Sequence, residues 1–341
     1  AGCPVLAKGH PAHPGTSELA GRAIVAALRR CDLPPGVFAL LQGSSHQLGA
    51  SLVVHPLVRA LAFTGSFKGG RALFNLAAAR NEPIPVFAEM GSSNPLFLLP
   101  EALRERGGEI AAGFVEALTL GVGQFCTNPG LLFAVAGSDL EAFVSRVASL
   151  LGEKPAGVML HRGIRETFVS NVSHRSRIAG VRSLGEVGEA GPGACLAAPV
   201  LLRTDAAAFH RARELSEEIF GPAAVLVECA DREELLTAAR RLRGQLTATL
   251  HGTAGDFAAF PELPGILEGK AGRLVCNGFP TGVEVSPAMV HGGPYPATTD
   301  SRFTSVGTAA IQRFLRPVCY QNFPPELLPE GLGLSAESRP G

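Results

Sequence analysis

The sequence lacks an excess of charge of either sign. Lysine and arginine together number 30, aspartate and glutamate together number 30, and the formal net charge is zero. Nucleic acids and anionic membrane surfaces attract proteins with a broad positive patch, so neither is predicted as a partner. Low-complexity tracts and repeats of fixed period are also absent. The composition favours a globular protein with a small-molecule partner.

Closely spaced cysteine pairs are missing as well. The seven cysteines are odd in number, dispersed along the chain, and include no Cys-x-x-Cys pair. This pattern argues against a disulfide scaffold and against a structural zinc site. It is typical of a reducing compartment, and we predict a cytoplasmic protein.

No long apolar run is free of interruption. Residues 117–138 carry no charge over 22 residues, but the loop-forming residues 123–130 break this stretch in the middle. A membrane span would not tolerate such a loop, so none is predicted. The chain begins at Ala1 without a signal-like region, and its first residues already resemble a strand of a larger sheet. We therefore expect a truncated or processed start.

Length and pattern predict two α/β lobes. A single core rarely grows beyond roughly 250 to 300 residues, so 341 residues favour two domains. Strand-like segments at 5–8, 37–41, 60–63 and 86–88 alternate with helix-like segments at about 16–30, 47–54 and 68–80. Thr16 and Ser17 are candidate caps of the first helix. Such alternation predicts a parallel sheet covered by helices.

A second α/β lobe is predicted to follow. It has a helix over 109–122, a loop that holds Cys126, and a strand over 131–135. Ser138 to Glu141 fits a capping box, and Asp231 opens a further helix in a similar way. The glycine-rich residues 185–195 predict a surface hairpin or loop before a strand at 199–202.

Several polar or small residues follow the strands of the first lobe. Lys8, Gly65, Ser66 and Glu89 all fall at predicted carboxyl ends of strands, where ligands gather in parallel sheets. Gly65 opens a helix whose backbone N–H groups would favour a phosphate. Taken alone this signal is weak, because such a glycine often just makes a turn.

Glu89 and Cys126 are the candidate catalytic residues. Glu89 ends an apolar strand, where burial raises a carboxyl pKa toward the range of a general base. Cys126 lies 37 residues later in a loop of glycine, asparagine and proline, where a thiol can face a cavity as a nucleophile. From spacing alone, a buried structural thiol and a surface carboxylate remain equally good interpretations.

Glu89-Met90-Gly91-Ser92 and Gly123-Gln124-Phe125-Cys126 resemble two signatures of the aldehyde dehydrogenase superfamily. The resemblance extends in the family's order over nearly the whole chain. It implies two Rossmann-related lobes with mostly parallel sheets, the cofactor lobe being truncated at its N-terminus. The implied divisions are a cofactor domain at 1–89, a catalytic domain at 90–308 and an oligomerisation strand and tail at 309–341.

The resemblance implies an NAD(P) site that is formed by the first lobe together with residues near 218–220. Lys8 would contact the adenosine ribose, Gly65 and Ser66 the pyrophosphate, and Glu218 and Phe220 the nicotinamide ribose and ring. Met90 and His10 are also assigned to the cofactor site.

Cofactor choice follows from a departure from the family. Pro11 stands where members that prefer NAD carry a glutamate, so NADP is favoured and NAD stays possible. His10 and His13 have a turn or surface role as the alternative. Pro11 and Pro14 argue against a helix that would align them as metal ligands, so no metal is assigned.

Residues 277–294 resemble the subset of the family that includes NADP-dependent fatty-aldehyde and α-ketoglutaric-semialdehyde dehydrogenases. In that subset a histidine at the place of His291 lies near the nucleophile, so His291 is a third catalytic candidate; packing in a glycine-rich loop is the alternative. Residues 311–322 resemble the family's late strand that pairs across subunits, which implies a homo-oligomer.

The implied reaction oxidises an aldehyde to a carboxylic acid. Cys126 attacks, hydride passes to the cofactor, and Glu89 activates the water that hydrolyses the thioester. The family's oxyanion hole also uses an asparagine from a segment that precedes Ala1, so we expect a weak catalyst that self-associates. The alternatives are a non-catalytic remnant that binds nucleotide or a partner, and transfer of the acyl group to coenzyme A, against which Glu89 argues.

Overall fold

The computed structural model describes residues 2–188 and 195–329. Strands and helices alternate, which confirms the predicted α/β class. The strands are β1 (Val5–Lys8), β2 (Phe38–Leu41), β3 (Leu61–Thr64), β4 (Val86–Glu89), β5 (Pro95–Leu98), β6 (Leu131–Val135), β7 (Gly157–Val158), β8 (Arg182–Leu184), β9 (Leu196–Ala197), β10 (Val200–Asp205), β11 (Ala223–Cys229), β12 (Gln245–His251) and β13 (Ala271–Cys276). The helices are α1 (Pro14–Arg30), α2 (His46–Val54), α3 (Phe67–Ala78), α4 (Pro100–Thr119), α5 (Ser138–Glu153), α6 (Arg162–Arg175), α7 (Ala206–Arg211), α8 (Arg232–Arg241), α9 (Ala254–Ala259) and α10 (Leu263–Glu268).

The first 89 residues form two small sheets where one was predicted. β1 pairs with β2 and β3 pairs with β4, both in parallel as expected, but each pair is a separate two-stranded sheet. Packing of α2 on α3 joins them, with Val53 and Ala77 in a small shared core. Arg80 adds to this link because its Nη1 donates to the carbonyls of Val53 and Val58 at 2.8 and 3.0 Å.

The rest of the chain is built on one seven-stranded sheet. Its strand order is β13-β12-β5-β6-β11-β10-β8, and all neighbours are parallel except β10 and β8. Alternate residues of β5 and β6 enter different core clusters, with Phe97 and Phe133 in one and Leu96 and Leu132 in the other. Helices therefore cover both faces, which explains why every residue of β12 is buried.

Helix starts differ in part from the predictions. In α1 the cap is His13 and Pro14 takes the first helical position, so Thr16 and Ser17 lie inside the first turn. The capping box at Ser138 is also wrong, because Gly137 is the N-cap and Glu141 is engaged by Arg203 at 3.0 Å. The cap at Asp231 is confirmed, since its Oδ1 accepts from the N–H of Glu234 at 2.9 Å.

Helix α4 begins at Pro100, nine residues before its predicted start at 109. Its first turn is capped from a distant element, because Asp256 accepts from the N–H groups of Glu101 and Ala102, both at 2.9 Å. Arg106 has non-helical dihedral angles, and the helix bends there. A cap that is 155 residues away in sequence leaves no local signal.

The C-terminal segment does not show the strand predicted at 311–322. In this single chain, Thr308–Phe314 is a 3₁₀-helix and residues 315–322 form no strand. Of the predicted hairpin or loop at 185–195, residues 189–194 lie outside the described residues. Within the described ranges, none of the helices has both the length and the apolar character needed to cross a membrane.

Candidate active site

Glu89 is fixed at the end of β4 by backbone pairing on both sides. It is aligned with Thr64 of β3 on one side and forms an antiparallel bridge with Thr298 on the other. The next N–H, that of Met90, donates to the carbonyl of Ala297 at 2.7 Å. The Glu89 side chain is buried, with 6% of its surface exposed. The Glu89 carboxylate is thus buried between β3 on one side and residues 297–298 on the other.

The loop that carries Cys126 is held by the fully buried side chain of Asn94. The Asn94 Nδ2 donates to the carbonyls of Cys126 and Asn128, both at 2.9 Å. Thr247 donates its hydroxyl to the Asn94 Oδ1 at 3.0 Å, which fixes the amide orientation. The position of the thiol is therefore set by β12 and by the start of β5 together.

The same loop packs closely on the segment around Gly221. Gly123 has φ of 64°, and a Cβ there would lie 2.3 Å from the carbonyl carbon of Gly221. Only glycine combines that backbone conformation with such a close approach. Asn128 reinforces the contact, because its Nδ2 donates to the Gly221 carbonyl at 3.2 Å.

Cys126, His291 and Glu89 form a connected row. The Cys126 Sγ lies 3.0 Å from the His291 Nε2, and the His291 Nδ1 lies 3.4 Å from the Glu89 Oε2. Ser305 donates its hydroxyl to the same Glu89 oxygen, and Thr304 accepts from the backbone N–H of His291 at 2.8 Å. The arrangement is that of a nucleophile, a base and a carboxylate that orients the base.

The electrostatics favour an uncharged thiol at Cys126 and an uncharged imidazole at His291 at rest. Burial raises the pKa of the Cys126 thiol to about 11, and the charges of Glu89 and Glu218 act in the same direction. Burial lowers the pKa of His291, helped by the Arg273 charge and opposed by Glu89. The tautomer with its ring proton on Nδ1, facing Glu89, leaves the Nε2 lone pair directed at the thiol. A proton can pass from sulfur to imidazole without any movement of the chain.

A cleft opens beside Cys126 toward Glu218 and Phe220. Phe125, Ser93 and Asn128 also line it. Burial raises the pKa of Glu218 to about 7, and the N–H of Ser92 opposes this by donating to the carboxylate. The ring of Phe220 is 37% exposed. An exposed aromatic face and a carboxyl group are therefore presented together next to the thiol.

Comparison with known proteins decides the family. The model of the aldehyde dehydrogenase family matches residues 1–293. The chain belongs to the aldehyde dehydrogenase family. It is 54% identical over 332 residues to alpha-ketoglutaric semialdehyde dehydrogenase 2 of Azospirillum brasilense, and 44% identical over 333 residues to alpha-ketoglutaric semialdehyde dehydrogenase of Acinetobacter baylyi (strain ATCC 33305 / BD413 / ADP1). Both alignments cover 97% of this chain and 63% of the relative.

A solved structure supports the same fold. Gamma-glutamyl-gamma-aminobutyraldehyde dehydrogenase from Burkholderia cenocepacia J2315 matches with a TM-score of 0.77 at 20% sequence identity. The match covers 92% of this chain and 61% of that structure. The aldehyde dehydrogenase architecture predicted from the sequence is thereby confirmed.

The predicted cofactor residues of this aldehyde dehydrogenase chain fall into separate groups. Ser66 caps α3, where its Oγ accepts from the N–H of Gly69 at 3.2 Å, and the N–H of Gly65 donates to the Glu89 carbonyl at 3.1 Å. Lys8 lies on the other small sheet, and its Nζ donates to the carbonyls of Gly9 and Gly43 at 3.1 and 3.2 Å.

Two predicted cofactor residues have structural roles of their own. The Met90 side chain is 2% exposed and packs on α3 so closely that a Cβ at Gly70 would lie 2.5 Å from its Cγ. Only the Met90 backbone could meet a cofactor. His10 is exposed and its Nδ1 accepts from the N–H of Ala12 at 3.2 Å, which stabilises the turn after β1.

The three catalytic candidates also form a possible metal-binding set. Their donor atoms, the Cys126 Sγ, a His291 ring nitrogen and a Glu89 oxygen, lie within 4.8 Å of one another. A thiolate, an imidazole and a carboxylate are the ligand types that zinc accepts. The assignment of no metal stays a prediction, because the same three groups are equally suited to proton transfer.

Sequence reasoning missed three residues that build the site. Asn94 holds the cysteine loop, Ser305 contacts the Glu89 carboxylate, and Arg273 influences His291. Asn94 stands two residues after the signature at Glu89 to Ser92 and so had a usable local signal. Ser305 and Arg273 are far from Glu89 and Cys126 in sequence, so only the fold brings them near.

Proposed function

We propose that this chain carries the reaction centre of an NADP-dependent aldehyde dehydrogenase that oxidises a semialdehyde, 2,5-dioxopentanoate, to the dicarboxylic acid. The observation that carries the proposal is the row of Cys126, His291 and Glu89, joined at 3.0 and 3.4 Å. The names of two relatives at 54% and 44% identity support the substrate class. An assembled and buried reaction centre argues against a non-catalytic remnant.

The first step is attack by sulfur. The Cys126 thiol gives its proton to the His291 Nε2, and the imidazolium that forms is stabilised by the Glu89 carboxylate at Nδ1. The thiolate then bonds to the aldehyde carbon, and the carbonyl π electrons move onto oxygen. The thiohemiacetal on Cys126 carries this negative charge as an alkoxide, and the proton from the thiol stays on His291. Burial of the thiol makes proton transfer to His291 necessary, because its pKa of about 11 leaves little free thiolate at neutral pH.

The side chains that line the cleft beside Cys126 suit the nicotinamide ring and its ribose. Phe220 offers an exposed ring face for stacking, and the Glu218 carboxylate can accept from a ribose hydroxyl. When bound, the nicotinamide supplies the hydride acceptor for the oxidation. Ser66, the N-cap of α3, would hold phosphate oxygens through its hydroxyl and the backbone N–H groups of the first turn, with Gly65 lying beside it and its own N–H bonded to Glu89.

Hydrolysis of the thioester then releases the acid. The Glu89 oxygen lies no more than 4.8 Å from the Cys126 sulfur, a separation that one hydrogen-bonded water can bridge. Glu89 takes a proton from this water as the water oxygen bonds to the acyl carbon. The carbon–sulfur bond then breaks, and the departing Cys126 thiolate takes back its proton from the His291 imidazolium. Ser305 keeps the carboxylate in place through its hydroxyl hydrogen bond.

The preference for NADP is supported by the surroundings of Lys8. Its ammonium group bonds to the carbonyls of Gly9 and Gly43, and among residues 2–188 and 195–329 it makes no ion pair. The nearby turn contains Pro11 and no carboxylate. A 2′-phosphate would meet a cation and no repulsion there.

Three broader features belong to the same proposal. The chain divides into a cofactor domain at 1–89, a catalytic domain at 90–308, and an oligomerisation segment at 309–341. Leu315, Val318 and Tyr320 are 40–53% exposed, which supports pairing of this segment with another copy.

A mechanism based on a reduced thiol supports a reducing compartment such as the cytoplasm.

A burst experiment tests the function. The protein, with any segment encoded upstream of Ala1, is mixed with NADP and 2,5-dioxopentanoate, and reduced cofactor is counted per active thiol. We expect repeated turnover in the parent and none above background in Cys126→Ala. Glu89→Gln should give a single burst, slower than that of the parent because the His291 imidazolium loses its carboxylate, and should leave an acyl group on the Cys126 peptide because the thioester is not hydrolysed.

The control is Cys31→Ala, since Cys31 is exposed at the end of α1 and should not affect turnover. Turnover of Cys126→Ala equal to that of the parent would remove Cys126 from the mechanism. Steady turnover of Glu89→Gln at the parental rate would assign water activation to another group.

A further inference from the structure

Arg273 lies on the face of the large sheet that carries the cysteine loop. It stands on β13 in register with Thr247 of the parallel strand β12. Residues aligned across neighbouring strands project from the same face of a sheet. The Thr247 hydroxyl bonds to Asn94, and Asn94 holds the Cys126 carbonyl. Arg273, Thr247 and Asn94 therefore form a row that ends at the nucleophile.

A second contact places Arg273 beside the segment that carries His291. Its neighbour Gly272 packs so closely on the chain that a Cβ there would lie 2.2 Å from the Gly292 carbonyl oxygen. The electrostatics agree with this placement, because the Arg273 charge lowers the pKa of His291. The guanidinium thus approaches the reaction centre from β13, on the side of the 280–291 loop.

The guanidinium has no counter-ion in the described part of the chain. Its Nη1 donates to the Gly282 carbonyl at 3.1 Å and its Nη2 to the Pro280 carbonyl. Arg302, by contrast, pairs with Asp300 at 2.6 Å. Arg80 and Arg175 also rely on carbonyls, but Arg273 is the one of these three whose charge acts on His291. A half-buried cation at that place, without a carboxylate partner, favours an anion beside it. Its unused N–H groups leave part of the planar fork available for a carboxylate.

We propose that Arg273 binds the carboxylate of an anionic aldehyde at the catalytic cysteine and so selects a semialdehyde acid over a neutral aldehyde of the same length. This rests on the proposed function for the identity of the reaction, but not for the presence of an anion site. The two bonds to the 280–282 loop orient the guanidinium. Arg273 is thus a specificity-determining residue that acts on substrate binding, with the aldehyde carbon left free to reach Cys126.

A test without turnover compares iodoacetate with iodoacetamide. Both alkylate a thiol by displacing iodide and have nearly the same size, but only iodoacetate is anionic. The rate at Cys126 is followed by mass spectrometry of its peptide, since other cysteines also react. Arg273→Gln should lower the ratio of iodoacetate to iodoacetamide rates about 10-fold, the effect of one partly buried charge pair. Arg273→Lys should retain most of the ratio, and the matched control Arg302→Gln should leave it unchanged.

The second arm measures turnover with 2,5-dioxopentanoate and with pentanal. Arg273→Gln should lower kcat/KM for the anionic aldehyde roughly 10- to 100-fold more than kcat/KM for pentanal, because any effect that acts through His291 is common to both substrates. An equal loss with both substrates, or an unchanged alkylation ratio, would overturn the inference and reduce Arg273 to a support of the loop. The opposite outcome is a parent protein that oxidises neither aldehyde, while its ratio of iodoacetate to iodoacetamide rates still depends on Arg273. That result would contradict the proposed function and support the anion site.

Discussion

The two parts of the chain differ in how far their parallel strands are buried. In β1 no residue is buried, and Val5 and Leu6 are 51% and 53% exposed. In β12 all seven residues are buried. Parallel strands are normally covered on both faces, so the large sheet follows the rule and the small sheets depart from it. Rigidity is therefore concentrated in the part that holds the nucleophile.

The reaction centre lies where these two parts meet. Glu89 comes from the last strand of the small sheets, whereas Cys126 and His291 come from the large part. Residues 297–299 of the large part pair with the free edge of β4, and the Thr299 hydroxyl bonds to the N–H of Ala88 at 2.9 Å. The carboxylate is thus attached to the better-packed part. We expect the large sheet to fix the nucleophile, and affinity for the adenosine half of the cofactor to depend on the small sheets.

The largest difference between the two parts is expected from a pair of matched leucine substitutions, one in each part. Leu132 on β6 is fully buried, whereas Leu6 on β1 is 53% exposed. Leu132→Ala should lower the free energy of unfolding by about 2–5 kcal/mol, because it leaves a cavity between β6 and α4. Leu6→Ala should cost less than about 1 kcal/mol. Denaturant unfolding of both variants gives the comparison.

Circular dichroism and a thiol-reactivity assay should be followed in the same titrations. The control is Leu19→Ala, since Leu19 is 69% exposed on α1 and should be neutral. If Leu6→Ala were as costly as Leu132→Ala, β1 would be covered in solution by something beyond the described residues. The contrast between the two parts would then be wrong.

A smaller effect concerns pH and the buried His251 at the end of β12. Burial lowers its pKa to about 4, and the Arg106 charge adds to the shift. The unfolded chain binds this proton near pH 6.5, so stability is complete above that value and falls as pH drops toward 4. The loss at pH 5 should be about 2 kcal/mol. His251→Leu should flatten the unfolding free energy between pH 7 and pH 5.

His55→Leu serves as the control for this experiment, because His55 is exposed after α2 in the small part. It should leave the pH dependence of the parent unchanged. If the unfolding free energy of His251→Leu fell with pH as steeply as that of the parent, other groups would cause the loss of stability in acid. Such a result would remove His251 as a source of pH sensitivity in the large sheet.

The sequence supported predictions wherever the relevant signal was local. Glu89 ends an apolar strand, Cys126 lies in a glycine-rich loop, and Asp231 precedes a helix, so each could be identified from its neighbours. The cap of α4 by Asp256 and the contact of Ser305 with Glu89 join residues more than 150 positions apart. No periodicity or spacing reports such pairs, because they depend on strand order in the sheet.

Two errors have a common physical origin. Thr16, Ser17 and Ser138 were assigned as caps from residue type, but the caps lie one to four residues earlier, at His13 and at Gly137. Residue type alone does not tell a cap from the first turn of a helix, since serine and threonine occur in both. The prediction of a single sheet for residues 4–91 was wrong for a related reason. Alternation of strands and helices predicts parallel pairing, but it does not show which strands are neighbours.

The smallest predicted effect is confined to the small sheets and concerns cofactor choice. Pro11 lies in the exposed turn after β1, three residues from Lys8, so a longer side chain there fits without disturbing a core. Pro11→Glu would place a carboxylate that accepts from a ribose hydroxyl and repels a 2′-phosphate, which should weaken NADP binding about 10-fold and favour NAD. Pro11→Gln is the matched control, because it removes the proline without adding charge and should keep the NADP preference. Calorimetry of both cofactors gives the dissociation constants, and kcat at saturating cofactor should change less than about twofold, since the large sheet is untouched. Equal dissociation constants for NADP and NAD in the parent would contradict the role given to Lys8, and a loss of kcat in Pro11→Glu would show that the small sheets control the chemistry as well as the cofactor.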